Sequence, residues 1–222
     1  MVKEELQAKL KVARPVSPKQ LPGEVEAFKK NLVTELKSLQ DKESDKISKY
    51  KKVRYWCQDE SRFGCHTVVR RKITLKGVKP VGVFQYKFKA TWIYGAIEPR
   101  SGESFFYEFS HLNTDCFQIF LDLVSEKFAD SIIIMQVDQA GCHRAKRLRL
   151  PHNIILIFQP AHSPELNPIE RVWLHLKQGL RFSLPKNMDE LRLLVKNRLS
   201  EMTKSVIASL VGRDSLLDAL SV

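Results

Sequence analysis

The chain has 222 residues, enough for one sizeable domain with a small appendage, and its hydrophobic content of 43% is that of a protein with a real core. A net charge of +12 and a sequence pI near 9.6 point to a polyanionic partner, nucleic acid first among them. Four cysteines without a C-x-x-C pair, the lack of any apolar run as long as a bilayer, and a charged start argue against a disulfide scaffold, a membrane span and a signal peptide; a cytoplasmic protein with reduced thiols is expected.

The charge is unevenly spread. Residues 1–56 carry 14 Lys/Arg against 8 Asp/Glu, and 57–100 carry 9 against 3. Residues 101–140 invert this with 1 against 7, and 141–186 return to 8 against 2. Basic flanks around an acidic middle suit DNA gripped around a cation-binding centre.

Lys3 to Lys11 reads as the end of a helix, and Ala13 to Pro22 as a proline-spaced basic linker, either a plain spacer or an arm along DNA. Val25, Phe28, Leu32, Leu36 and Leu39 fall at helical spacing in a charged segment. Val53, Tyr55 and Cys57 alternate with Arg54, Trp56 and Gln58, which predicts a strand ending at Asp59. The next stretch, with Arg70, Arg71, Lys72 and Lys76, reads as a basic loop or short irregular hairpin. Residues 91–110 form a β-hairpin about the turn Glu98-Pro99-Arg100-Ser101-Gly102.

Thr114 is the expected N-cap of a helix whose stripe is Phe117, Phe120, Leu121, Val124 and Phe128. Two unbroken apolar runs follow, Ile132 to Val137 and Ile154 to Phe158, and both read as strands covered on both faces. The first stops on Asp138. The basic crossover between them carries His143, Arg144, Lys146, Arg147 and Arg149. The loop Gln159 to Pro168 then delivers Glu170 in the first turn of an amphipathic helix with Ile169, Val172, Trp173 and Leu176. Asn187 with Glu190 predicts a capping box for a helix from Met188 to Met202. The remainder, from Val206, makes one or two short amphipathic segments.

An acid at a strand end and another in an early helical turn, with 31 residues between them, are two rigidly held carboxylates. Asp59 supplies a third. Three converging carboxylates suit a hard divalent cation and phosphate chemistry. Asp59-Glu60-Ser61-Arg62-Phe63-Gly64, Val137-Asp138-Gln139-Ala140-Gly141-Cys142-His143 and Ser163-Pro164-Glu165-Leu166-Asn167-Pro168-Ile169-Glu170-Arg171-Val172-Trp173 resemble the three signature blocks of the DDE transposases of the mariner superfamily, in its bacterial insertion-sequence branch. The likeness runs from Leu6 to Asn197.

That resemblance implies an α/β, ribonuclease-H-like fold: a mixed five-stranded sheet flanked by helices, with three antiparallel strands followed by two parallel ones. It implies a linker and helix over 1–50, a catalytic domain over 51–205 and a helical tail over 206–222. It also implies that Asp59, Asp138 and Glu170 are both the catalytic residues and the ligands of two Mg²⁺ or Mn²⁺ ions. The implied partners are DNA (transposon ends and target), a second copy on DNA, and a helix-turn-helix module that this chain lacks, either through truncation or because a separate reading frame encodes it. Family members carry such modules ahead of this region.

Several residues keep two readings. Glu170 fits metal ligation, and it also fits a capping box with Asn167 and Pro168. Glu60 could substitute for Asp59. His143 could contact a phosphate or the nucleophilic water, or be a satisfied structural histidine. Arg70, Arg71, Lys72, Lys76, Arg144, Lys146 and Arg147 are candidate DNA contacts, or a solvated face. Trp173 reads as a core anchor. For the chain as a whole, the rivals to a transposase are a silent DNA-binding or dimerising fragment and a nuclease of the same fold that does not join ends.

Overall fold

The computed structural model describes residues 17–65, 75–79, 81, 86–181 and 183–212. Its first helix is α1 (Glu24–Lys42), followed by one further helical turn, Ser44–Ile47. Then come β1 (Lys52–Gly64), β2 (Ala90–Ile97), β3 (Ser104–Phe109), α2 (Thr114–Lys127), β4 (Ser131–Val137) and β5 (Ile154–Phe158). A 3₁₀ turn at Pro164–Leu166 leads into α3 (Ile169–Gly179), α4 (Met188–Ser200) and α5 (Lys204–Val211). Among these residues no helix is long and apolar enough to cross a membrane.

The strands form one sheet in the order β3-β2-β1-β4-β5. β1 pairs antiparallel with β2, and β2 with β3, while β1–β4 and β4–β5 are parallel. This is the mixed sheet that the resemblance implied. Helices cover both faces. On one face α2 places Phe117, Phe120, Leu121 and Val124 against Trp56, Tyr94, Ile133, Met135 and Val137. On the other, α3, α4, α5 and α1 bury Ile169, Val172, Trp173, Leu191, Val195, Ile207, Leu32 and Leu36 against Tyr55, Cys57, Phe63, Ile93 and Ile134. Burial of two apolar sheet faces is the main stabilising term.

The central strands behave as their composition requires. β4 is buried along its whole length, as a run of large apolar side chains between two covered faces must be. β5 differs from expectation: it is the sheet edge, and Phe158 at its end is 39% exposed. An apolar run of five residues does not reveal whether a further strand lies beside it. β1 is longer than its apolar alternation predicts. It continues through Asp59, Glu60, Ser61 and Arg62 because β2 pairs with that polar half from Cys57 to Gly64, so Asp59 sits within the strand and not at its end.

Two caps refine the helix starts. Asn113, one residue before Thr114, caps α2 by accepting the Cys116 N–H at 2.8 Å. Asn187 caps α4 through the Glu190 N–H at 2.9 Å, and Glu190 reaches back one residue further than expected, to the Lys186 N–H at 2.7 Å. Residues 138–153 join β4 to β5 through turns, with no regular helix. Of the C-terminal tail, Ile207 and Val211 are buried in the core, while residues 213–222 lie outside the described residues.

Candidate active site

The parallel register of β1 and β4 ends at Cys57 opposite Gln136. Two residues further along that register, Asp59 stands level with Asp138. Asp59 lies on the side of the sheet that α3 covers, and α3 brings Glu170 in its first turn. Three elements distant in sequence thus deliver three acids to one end of the sheet.

Asp59 is held by Trp173, whose Nε1 donates to its Oδ2 at 2.9 Å. The indole is 2% exposed and packs edge-on against Phe63 and Phe106, so the expected core anchor is also a hydrogen-bond donor to the site. Its approach depends on Gly95, which pairs with Asp59 across β1 and β2. A Cβ at Gly95 would lie 2.6 Å from Trp173 Cη2 and 2.9 Å from the Phe106 ring.

Asp138 is held through one oxygen. Its Oδ1 accepts the Ala140 N–H at 2.9 Å and lies 2.7 Å from His143 Nδ1. The other ring nitrogen, Nε2, is 3.1 Å from Glu60 Oε1. The His143 side chain is fully buried and packs on Phe117 with ring centroids 4.3 Å apart. The ring therefore spans two carboxylates inside the protein, and the expected DNA contact at His143 gives way to an internal bridge. Burial alone would lower its pKa, but its hydrogen bonds to Asp138, Cys142 and Glu60 push it up to about 12. Glu60, on the opposite face of β1 from Asp59, cannot stand in for it.

Glu170 is exposed, and among the described residues its carboxylate accepts no hydrogen bond. The capping box that its position suggests is not formed. The Asn167 N–H is taken by Pro164 O at 3.0 Å, and the Asn167 side chain donates to Gln58 O on β1 at 2.8 Å. Asn167 thus fastens the Glu170 loop to the strand beside Asp59 and leaves the Glu170 side chain unengaged.

Electrostatics links the three acids. Burial first, then repulsion from Glu60 and Glu170, holds the Asp59 carboxyl well above the carboxylate range. Glu170 is raised by partial desolvation and by Asp138, against the pull of Lys177. Asp138 goes the other way, because the His143 and Ala140 hydrogen bonds outweigh its burial. Lys177, two turns after Glu170, is lowered by desolvation although Glu170 and Asp59 favour its charge; its Nζ lies 5.7 Å from the Phe63 ring centroid. Spacing along α3 could have flagged Lys177, since i and i+7 share a helix face, whereas the sequence offers Glu60 only as a substitute for Asp59 and gives no local sign of its pairing with His143.

A donor set of three carboxylates, two of them raised by burial and by neighbouring acids, fits a hard divalent cation, which would offset that charge. With the side chains as they stand, no three His, Cys, Asp or Glu groups among the described residues are close enough to hold an ion together. Of the candidate DNA contacts, Arg70, Arg71 and Lys72 lie outside the described residues, and Lys76 is exposed. Arg144, Lys146 and Arg147 are exposed on the β4–β5 crossover, with Arg144 donating to Gln139 Oε1 at 3.3 Å and Arg147 pairing with Asp115 at 3.1 Å.

The family model of the DDE superfamily endonucleases matches residues 54–192, more than half of the chain and all three acids. The chain belongs to the DDE superfamily endonucleases. Solved structures similar to this endonuclease domain include the Mos1 transposase paired-end complex with left transposon end, at a TM-score of 0.68 and 16% identity over 95% of this chain and 64% of that one. The Mos1 mariner paired-end complex with Mn gives 0.66 and 17% over 95% and 65%, and the complex with Mg gives 0.64 and 16% over 95% and 64%. At this identity the likeness establishes the fold. A curated relative, the uncharacterized protein y4pE/y4sA of Sinorhizobium fredii (strain NBRC 101917 / NGR234), is 36% identical over 89 residues, 40% of this chain and 66% of that protein. The endonuclease domain therefore spans less than two thirds of the Mos1 chains it resembles.

Two outcomes test this geometry. Gly95→Ala forces the Trp173 indole away from Asp59; overpacking of this kind costs about 1–3 kcal/mol, read by chemical denaturation, with a change in Trp fluorescence. Asp59 binds its proton more tightly folded than unfolded, so its contribution is present below the ordinary carboxylate range and lost as pH rises through its raised folded value. Metal-free Asp59→Asn, which keeps an acceptor for Trp173, should be more stable than the parent at neutral pH and lose less stability between pH 4 and 7 in urea melts.

Proposed function

We propose that this chain is the catalytic domain of a metal-dependent DNA transposase, cleaving transposon-end phosphodiesters and joining the freed 3′-hydroxyl ends to target DNA. The observation that carries the reading is the delivery of Asp59, Asp138 and Glu170 to one end of the sheet within an endonuclease family. Asp59, Asp138 and Glu170 would hold two Mg²⁺ or Mn²⁺ ions, which when bound activate an oxygen nucleophile and neutralise charge on the phosphoryl group.

The protein's own part is positioning. Trp173 orients Asp59, His143 orients Asp138, and Asn167 fixes the loop ahead of Glu170. Lys177 offsets the negative charge of the cluster through Glu170 and Asp59. Arg144, Lys146 and Arg147 on the crossover, Lys76, and in sequence Arg70, Arg71 and Lys72, bind phosphates without reading bases. Sequence-specific end recognition then falls to a helix-turn-helix module, and the active assembly is a dimer on DNA. The similar Mos1 complexes contain a transposon end, Mn or Mg, which supports DNA and a divalent metal as partners.

A second reading, a DNA-binding or dimerising fragment without catalysis, draws on the observation that among the described residues no three ligating groups stand together as placed. One substitution separates the two. Asp138→Asn should abolish Mg²⁺- or Mn²⁺-dependent strand cleavage and 3′-end joining while DNA affinity stays within about twofold, since phosphate contacts by basic residues carry the binding; a parent protein inert under both metals would favour the silent fragment. Lys146→Ala should weaken binding equally on specific and scrambled DNA. It should also lower the salt slope of binding by about 0.9, the value for one phosphate contact.

A further inference from the structure

Adjacent side chains of a strand point to opposite faces, and β1 uses this at its polar half. Asp59 faces α3, while Glu60 turns to the face covered by α2, where its side chain is only 6% exposed. A carboxylate so enclosed needs partners. It has two: Gln58 Nε2 donates to its Oε1 at 2.8 Å, and His143 Nε2 lies 3.1 Å from the same oxygen. The far side of that ring holds Asp138 Oδ1 at 2.7 Å. Phe117 packs against the ring and closes it from solvent.

We infer that Glu60 and His143 are positioning residues: a buried bridge from β1 that fixes the Asp138 carboxylate by one oxygen and leaves the other for a ligand. The inference rests on the proposed metal-dependent reading. It gives the second acid of the Asp59-Glu60 pair a task of its own. β1 thereby sets two of the three acids, one directly and one through the ring, so that Asp138 cannot swing away to relieve repulsion from Glu170. Ala140 N–H on the same Oδ1 completes the hold. Groups that orient a metal-binding carboxylate in this way typically alter affinity or activity by roughly 10–100-fold when replaced.

The test is Mn²⁺ binding to the full chain by titration calorimetry, with thermal unfolding and DNA affinity measured alongside. His143→Gln puts an amide nitrogen near the place of Nε2 and nothing at Nδ1, so Glu60 stays paired and Asp138 is released. His143→Asn does the reverse. The expected result is a roughly 10–100-fold loss of Mn²⁺ affinity in His143→Gln with Tm and DNA affinity near the parent's, and a smaller loss in His143→Asn with a lower Tm. Should His143→Gln not fold, Glu60→Ala, which like His143→Asn frees the far end of the bridge while Asp138 keeps its partner, should give the smaller loss of Mn²⁺ affinity. Glu60→Gln, which keeps the acceptor oxygen, should restore most of it, and an unchanged affinity in Glu60→Ala would overturn the proposal. Equal losses in both His143 variants, or losses that follow Tm, would overturn the proposal. Absence of Mn²⁺ binding by the parent would instead overturn the metal-dependent reading beneath it.

Discussion

Three carboxylates that repel one another are held at one end of a sheet, and most of the local architecture is an answer to that repulsion. Left to themselves, charged side chains in a partly desolvated space would turn to water or take up protons. Here Asp59 is tied by the Trp173 indole, Asp138 by His143 and a backbone N–H, and Lys177 is a partly desolvated counter-charge that Glu170 and Asp59 both favour. Asp59 and Glu170 are raised, by burial first and by neighbouring acids second, while hydrogen bonds hold Asp138 low.

The support extends inward through buried amides. The Tyr55 hydroxyl donates to Gln136 Oε1, the Gln136 amide donates to Gln159 Oε1 at 2.6 Å and to Leu166 O at 3.2 Å, and Gln159 donates to Ser163 O at 3.3 Å. Asn167 adds its bond to β1. These contacts pin a loop that has little regular structure of its own, and they satisfy polar groups that would otherwise be stranded in the interior. Gln20, ahead of α1, reaches the same loop through Ser163 Oγ at 2.8 Å and Glu165 at 3.0 Å. The loop that presents Glu170 is therefore a braced element despite its irregular backbone.

Gly95 joins the two levels of this design. The strand neighbour opposite Asp59 must be small enough to let an indole cross the sheet, and the clearance at Gly95 leaves no space for a methyl group. The hydrogen bond to the site and the packing of the core are consequently one arrangement: Trp173 fills the cluster with Phe63 and Phe106 and, with the same rigid ring, aims its N–H at Asp59.

Much of this was legible in the order of residues. Apolar periodicity placed α1, the stripe of α2, the hairpin and β4, because those patterns depend only on which side chains must leave water. The signature blocks picked out Asp59, Asp138 and Glu170, since the chemistry of each block is local. Where the chain alone fell short, the deciding contacts were distant in sequence. Asp59 lies within its strand because β2 pairs with the polar half of β1; β5 is an edge because no further strand among the described residues pairs with it; His143 faces inward because Glu60, on another strand, awaits its second nitrogen. The amino-acid order by itself determined which elements form and which acids are available. Only the folded chain decided what each acid faces, because a carboxylate's charge and direction are set by partners that sequence separation hides.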